Sequence, residues 1–375
     1  MSLAAGHETL PSFVTEKRLG QGEDGDPIAC RYPDLGDAVA VFDGMGGAGA
    51  TQVPVDSSYT TKEGKCSMAY LASRVTSTTI QKAIGQLGST NLESLKLRIE
   101  EAVKAELTKL AERPEGKGPE PRLRGTLLHD YPTTVALAVV RSTLHGDNQR
   151  EVKVYWAGDS RIYAFDPERI IPLQVLTRDH TETGGGGDAP VERYASAVGL
   201  DLDELEYLLP STSAVIAMSD GCYAYMTPFK LMLLLVKSLQ FSRDQNDWVE
   251  SVKNEISSVA GDDTSFAISF GEGGFEALKQ RTKTLYQKLE PLMFIPETGE
   301  TNPFILVHDK NQYQELFKEN RQRCLTKSKE VSPSSESHSD DTPVLAEMPP
   351  DVSATLTVVT SKDVFTKDDS MGSGA

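Results

Sequence analysis

The sequence predicts an α+β fold in which an antiparallel sheet layer is covered by helices, and three observations point there. Short apolar or alternating runs cluster in the middle of the chain. Several are joined by short links containing Gly, Asp or Asn, and helical periodicity is confined to stretches before and after them. No internal repeat of fixed period interrupts that order.

Taken in order, Asp37 to Phe42 reads as the first strand. Helical spacing of apolar residues follows over Cys66 to Leu87 and Leu92 to Glu112, the latter with Asn91 as its N-cap. Strands are expected at Pro132 to Val140, Glu151 to Trp156, Arg161 to Phe165, Ile170 to Leu176, Ala214 to Met218 and Ser265 to Phe270. The links Gly146 to Asn148, Gly158 to Ser160 and Asp166 to Glu168 have hairpin composition, so the middle of the chain is a meander. Helices over Phe229 to Leu239 and Asn246 to Ala260 complete the pattern. These elements form one unit, 1–271, with a loop insertion near 113–124 that is rich in Pro, Gly and Glu. Amphipathic stretches at Phe275 to Leu289 and Gln312 to Arg323 make a helical extension, 272–325, that docks a partner or packs on the main body. The Ser-, Pro- and Asp-rich residues 326–375 read as a disordered tail.

The 375 residues, 38% hydrophobic and 25% charged, suit a soluble globular chain. No apolar run approaches the roughly 18 residues of a membrane span; the densest, Leu231 to Val236, is flanked by Lys230 and Lys237. Met1 to Phe13 has neither a basic start nor an apolar h-region, so a cytoplasmic location is expected. Cys30, Cys66, Cys222 and Cys324 are scattered, which argues for free thiols rather than disulfides or a zinc ribbon. A net charge of -17 disfavours nucleic acid as a partner. The same acidity admits divalent cations, and the positions of the carboxylates decide that.

Acidic residues stand beside Gly or a second Asp where apolar strands end or begin. The motifs are Asp43-Gly44-Met45-Gly46-Gly47, Gly158-Asp159-Ser160-Arg161, Ser219-Asp220-Gly221 and Gly261-Asp262-Asp263-Thr264-Ser265, with Glu23-Asp24 ahead of the first strand. Each alone is an ordinary turn signal. Together they bring carboxylates to one rim if the strands are antiparallel neighbours, and such a group repels itself unless cations neutralise it. Oxygen donors without His or Cys suit Mg2+ or Mn2+. Two such ions about 3.5–4 Å apart polarise a phosphoryl oxygen and activate water for in-line attack. Glycine at 44, 46 and 47 lets backbone approach a metal or a phosphate.

This ordered set, with Thr177-Arg178-Asp179-His180, resembles the metal-dependent protein phosphatases, the type 2C serine/threonine family, over about Gly20 to Phe270. The resemblance implies a four-layer α/β/β/α sandwich with two antiparallel sheets between helix layers. It implies Asp43 as the carboxylate bridging two metals, Gly44 as a backbone carbonyl ligand, Glu23 serving the second metal, and Asp220 and Asp262 serving the first. Asp159 matches an acid at a third, weaker position, with Asp24 and His180 as supporting residues. Phosphoserine or phosphothreonine in a protein is the implied substrate, hydrolysed without a covalent intermediate.

The chain departs from the family's pattern in places. Leu19 occupies the position of a phosphate-gripping Arg, leaving Arg18, one residue earlier, as the candidate substrate contact. Met45, as in bacterial-type members, removes a candidate acid for the leaving oxygen, and Ala224 replaces an acid of the third metal position. The family's flap corresponds to 181–210, whose Gly184 to Gly187 run lacks the Gly-Lys-Ser/Thr ending of a nucleotide cradle. Two other readings remain open at this stage: a catalytically weak member serving as a phosphoprotein-binding or regulatory module, and a phosphatase for small metabolites.

Overall fold

The computed structural model describes residues 8–54, 65–87, 92–113, 130–142, 148–169, 171–181, 191–293 and the pair 346–347. Its strands are β1 (Glu8–Thr9), β2 (Ser12–Thr15), β3 (Ile28–Tyr32), β4 (Gly36–Val41), β5 (Gln52–Pro54), β6 (Lys65–Ser67), β7 (Val135–Ser142), β8 (Gln149–Ala157), β9 (Arg161–Phe165), β10 (Leu173–Val175), β11 (Asp203–Pro210), β12 (Ala214–Met218), β13 (Thr264–Ser269) and β14 (Ala346–Glu347). Its helices are α1 (Met68–Gly85), α2 (Leu95–Glu112), α3 (Asp220–Tyr223), α4 (Pro228–Phe241), α5 (Gln245–Val259) and α6 (Gly274–Met293). One sheet has the order β1-β3-β4-β7-β8-β11-β14 and the other β10-β9-β12-β13-β2, with β5-β6 as a separate ribbon. Every pairing is antiparallel except that of β14 with β11.

Strands buried on both faces explain why the sheets stack between helices. On β4, Ala38 and Ala40 face α1 and α2 while Val39 and Val41 face the second sheet. On β12, Val215 and Ala217 face the first sheet, and Ile216 and Met218 face α4 and α5. The interface between sheets is lined by small residues, among them Ala29, Ala136, Ala138, Ala164, Ala217 and Ala267, which lets the two layers approach closely. The result is the α/β/β/α sandwich expected above.

The helices match their sequence signals closely. Ser67 caps α1 by accepting from Tyr70 N–H at 3.0 Å, and Asp244 caps α5 by accepting from Asn246 and Asp247 N–H at 2.9 Å. The expected cap Asn91 lies outside the described residues; α2 instead follows a single 3₁₀ turn, Leu92–Ser94. Helix α6, placed in an extension by the sequence, packs Phe275, Leu278 and Leu289 into the same core as α4 and α5. Arg281 on α6 donates to Asp166 at 2.6 Å and to the Thr212 carbonyl at 2.8 Å. The first part of 272–325 therefore covers the second sheet. Gln312 to Arg323 and the expected disordered tail lie outside the described residues, apart from β14.

One boundary needs correction. Residues 203–210, assigned to a flap, form β11 and pair along all of β8, from Asp203 opposite Trp156 to Pro210 opposite Gln149. Leu205, Tyr207 and Leu209 turn inward from it. Burial of that alternating face outweighs the acidic residues between them.

The rim where β4 begins is closed by a buried guanidinium. Arg150, 8% exposed, donates Nη1 to the carbonyls of Ser213 and Phe270, both at 2.9 Å, and Nη2 to Ser269 Oγ at 2.8 Å. Asp37 Oδ2 lies 3.6 Å away, and burial pulls the Arg150 pKa down to about 10, so it stays charged at neutral pH. These bonds join the two sheets. Arg150→Ala is expected to cost about 3 kcal/mol in urea unfolding, the low end for a broken buried pair, because Arg31 still holds Asp37. A loss below about 0.5 kcal/mol would show that the clamp is not a stabilising contact.

Candidate active site

Strand direction gathers the acids at the other rim. Strand β4 ends just before Asp43, and its antiparallel partner β3 starts beside that end, with Ile28 opposite Ala40, so Glu23-Asp24 enters there. The end of β8 lies beside the start of β7, Ala157 opposite Val135, which delivers Asp159. In the second sheet β12 ends where β13 begins, Met218 opposite Phe266, so Asp220 and Asp262-Asp263 meet.

The carboxyls act on one another directly. Burial, then Asp220 and Asp24, push the Asp43 pKa well above the ordinary carboxylate range. Asp43 and Asp220 share a hydrogen bond, and burial also raises Asp220, with Asp262 adding to it. Burial and the charges of Asp220 and Asp179 push Asp159 up to about 7. Asp24 is raised mainly by burial, then by Asp263, Asp220 and Asp262; Glu23 is raised by burial and by Asp263 and Asp262. Glu23, Asp24, Asp43, Asp159, Asp220 and Asp262 thus form one electrostatic cluster.

Each member is held by its own scaffold. The turn after β4 is fixed by Thr134 N–H and Thr133 Oγ1, both donating to the Asp43 carbonyl at 2.8 Å. Ser67 Oγ donates to the Glu23 carboxylate from the start of α1, and Ser73 Oγ donates to the Glu23 carbonyl at 2.5 Å. Asp24, 2% exposed, accepts from Ser219 Oγ at 2.8 Å, and Ser219 Oγ accepts from Ser265 N–H at 2.9 Å. A Cβ at Gly46 would collide with the Glu23 carboxylate, and one at Gly44 with the Glu23 and Ala69 carbonyls. Glycine there is therefore required by close approach. A Cβ at Gly47 would stand in open space.

Two expected residues do not join the acids. Arg18 is exposed, and among the described residues its side chain makes no hydrogen bond or ion pair. His180 is a buried support: Nδ1 accepts from Gly158 N–H at 3.1 Å, so Nε2 carries the proton and donates to Asp203 Oδ2 at 2.9 Å. Its ring stacks on Trp156 with centroids 5.9 Å apart.

Sequence reasoning missed several contributors. Asp263 accepts from the backbone of Glu23 at 2.6 Å and of Lys17 at 2.7 Å, tying the segment before β3 to the start of β13 at the acidic rim; its place in the Asp-Asp pair was the available signal. Arg161 forms a two-point ion pair with Asp179 at 2.9 and 2.7 Å, lies 3.8 Å over the Tyr223 ring, and lowers the pKa of Asp159 and Asp220.

Among the described residues no group of three or more Asp, Glu, His or Cys side chains is arranged so that it could hold a metal ion as it stands. The donor set nonetheless fits a hard divalent cation. It is all oxygen, its members are pushed toward holding protons first by burial and then by one another's charge, and the glycine run leaves backbone beside Glu23.

No family model matches the sequence, and no curated protein does. Among solved structures, a bacterial serine phosphatase carrying a point substitution superposes with a TM-score of 0.50 at 16% identity, covering 71% of this chain and 99% of that one. The serine/threonine phosphatase Stp1 from Staphylococcus aureus aligns at a TM-score of 0.49 and 15% identity, over 73% of this chain and 99% of that one. At such identities the likeness is one of fold. The chain shares its α/β/β/α sandwich with a bacterial serine phosphatase.

Proposed function

We propose that the chain is a metal-dependent phosphatase acting on phosphoserine and phosphothreonine in proteins. The observation that carries this reading is the convergence of Glu23, Asp24, Asp43, Asp159, Asp220 and Asp262 on one rim, where their charges oppose one another. The fold it shares with a bacterial serine phosphatase supports it.

Asp43, Asp220, Asp262, Glu23 and the Gly44 carbonyl would hold two Mn2+ or Mg2+ ions, with Asp159 at a weaker third position. Bound there, the ions supply Lewis-acid polarisation of the phosphoryl group and activation of water. Asp43 and Asp220 must give up the proton they share, so binding releases a proton and strengthens with pH. Ser67 fixes the Glu23 carboxylate and Ser219 fixes Asp24, which keeps the acids positioned before the ions arrive. Arg161, anchored on Asp179 and Tyr223, balances part of the charge of Asp159 and Asp220.

Hydrolysis of an aryl phosphate should appear with manganese, vanish with chelator and return on adding the metal back. No metal-dependent turnover at any pH would sink the reading. It would favour a phosphoprotein-binding module instead, a second reading supported by Leu19, uncharged and 89% exposed beside the site. Faster turnover of phosphopeptides than of sugar phosphates is expected; the reverse would point to a metabolite phosphatase. No described helix is long and apolar enough to cross a membrane. Cytoplasmic residence remains part of the proposal.

A further inference from the structure

A phosphate dianion entering this rim meets a crowd of carboxylates, so a cation belonging to the protein itself is needed to hold it in place. The cations beside the acids differ in what they have left to offer. Arg161 is buried, with Nε and Nη2 taken by Asp179 and Nη1 3.4 Å from Tyr163 Oη. Lys17 places Nζ on the Gly261 carbonyl. Arg74, on α1, donates only Nη1, to the Tyr70 carbonyl at 3.2 Å, and its Nη2 makes no closer described approach than 3.9 Å to Glu16 Oε1.

We propose that Arg74 grips the phosphoryl group of the substrate, the role for which the sequence offered only Arg18. Three features of the geometry support it. The guanidinium carbon lies 3.5 Å from the Tyr70 ring centroid, so the ring restrains the guanidinium before any anion arrives. The neighbouring Ser73 bonds the Glu23 carbonyl, which puts this turn of α1 against the acidic rim. The side chain is 19% exposed, open enough for a ligand to reach it. Its positive charge also draws down the Glu23 pKa. Glu16, which accepts from Gly20 N–H as well, holds the loop bearing Arg18 and Leu19 and is the group nearest to the spare Nη2.

The inference rests on the phosphatase reading, but its test does not need turnover. Binding of inorganic phosphate to the full chain in manganese is measured by equilibrium dialysis for wild type, Arg74→Ala, Arg74→Lys and Glu16→Gln, with thermal unfolding confirming that each variant is folded. Phosphate affinity should fall about tenfold or more in Arg74→Ala, recover partly in Arg74→Lys and stay within twofold of wild type in Glu16→Gln. In a turnover assay the KM of Arg74→Ala should rise more than its kcat falls. Unchanged phosphate affinity in Arg74→Ala overturns the inference. So does an equal loss in Glu16→Gln, which would mean that Arg74 only braces the loop, and so does a wild type that binds no phosphate. A wild type that binds phosphate through Arg74 yet hydrolyses nothing would overturn the phosphatase reading and leave this inference standing.

Discussion

Replacing Asp43 with asparagine is expected to lower kcat/KM toward an aryl phosphate by at least about 1000-fold, on the order of 4 kcal/mol of transition-state stabilisation, without unfolding the chain. The physical reason lies in what Asp43 does in each state. In the metal-free chain it shares a hydrogen-bonded proton with Asp220. An asparagine amide can replace that O–H as donor, so the cluster keeps its geometry and loses one source of repulsion. Once ions are bound, the same position has to supply a full negative charge, and an amide cannot. Asp220→Asn should behave alike. Steady-state kinetics with manganese, beside thermal unfolding of the metal-free proteins, check both halves. Turnover within tenfold of wild type in either variant would show that these acids are not the ligands.

A second large effect concerns stability against pH. Asp159, pushed up to about 7, and the raised Asp43, Asp24 and Asp220 keep protons in the folded chain that the unfolded chain has released above about pH 4. The folded state thus binds more protons between about pH 4 and 7, and stability falls as pH rises through that window. Asp159 alone accounts for a loss on the order of 3–4 kcal/mol once fully ionised. Manganese should reverse this by neutralising the deprotonated cluster, raising the unfolding midpoint strongly at pH 8 and little at pH 5. Scanning calorimetry at the two pH values, with metal and with chelator, reads the difference. Equal stabilisation at both would mean that the metal binds elsewhere.

Much of the fold was legible because its strands carry strong local signals. Val39 to Phe42, Ala136 to Val140 and Ala214 to Met218 are continuous apolar runs, which only strands buried on both faces require. The strands that escaped notice are the short β1, β5, β6 and β14 together with β2, β3 and β11, where Ser12, Arg31 or the acids of Asp203–Pro210 break the pattern. On β11 the inward Leu205, Tyr207 and Leu209 were present as an alternating signal, masked by Glu204 and Glu206 on either side of Leu205. Propensity alone disfavours such a strand, and pairing with β8 overrides it.

For the site, the sequence by itself determined which residues are acids, that each stands where a strand starts or stops, and that glycine accompanies them. Only the tertiary structure decided that these ends share a rim, that Asp263 bonds the backbone of Glu23 across 240 residues, that Ser219 holds Asp24 across 195, and that Arg74 rather than Arg18 lies beside them. The reason is that strand composition is a local property of the chain. Which strand ends meet depends on register and on sheet stacking, and those are fixed by burial of apolar faces contributed by residues far apart in sequence.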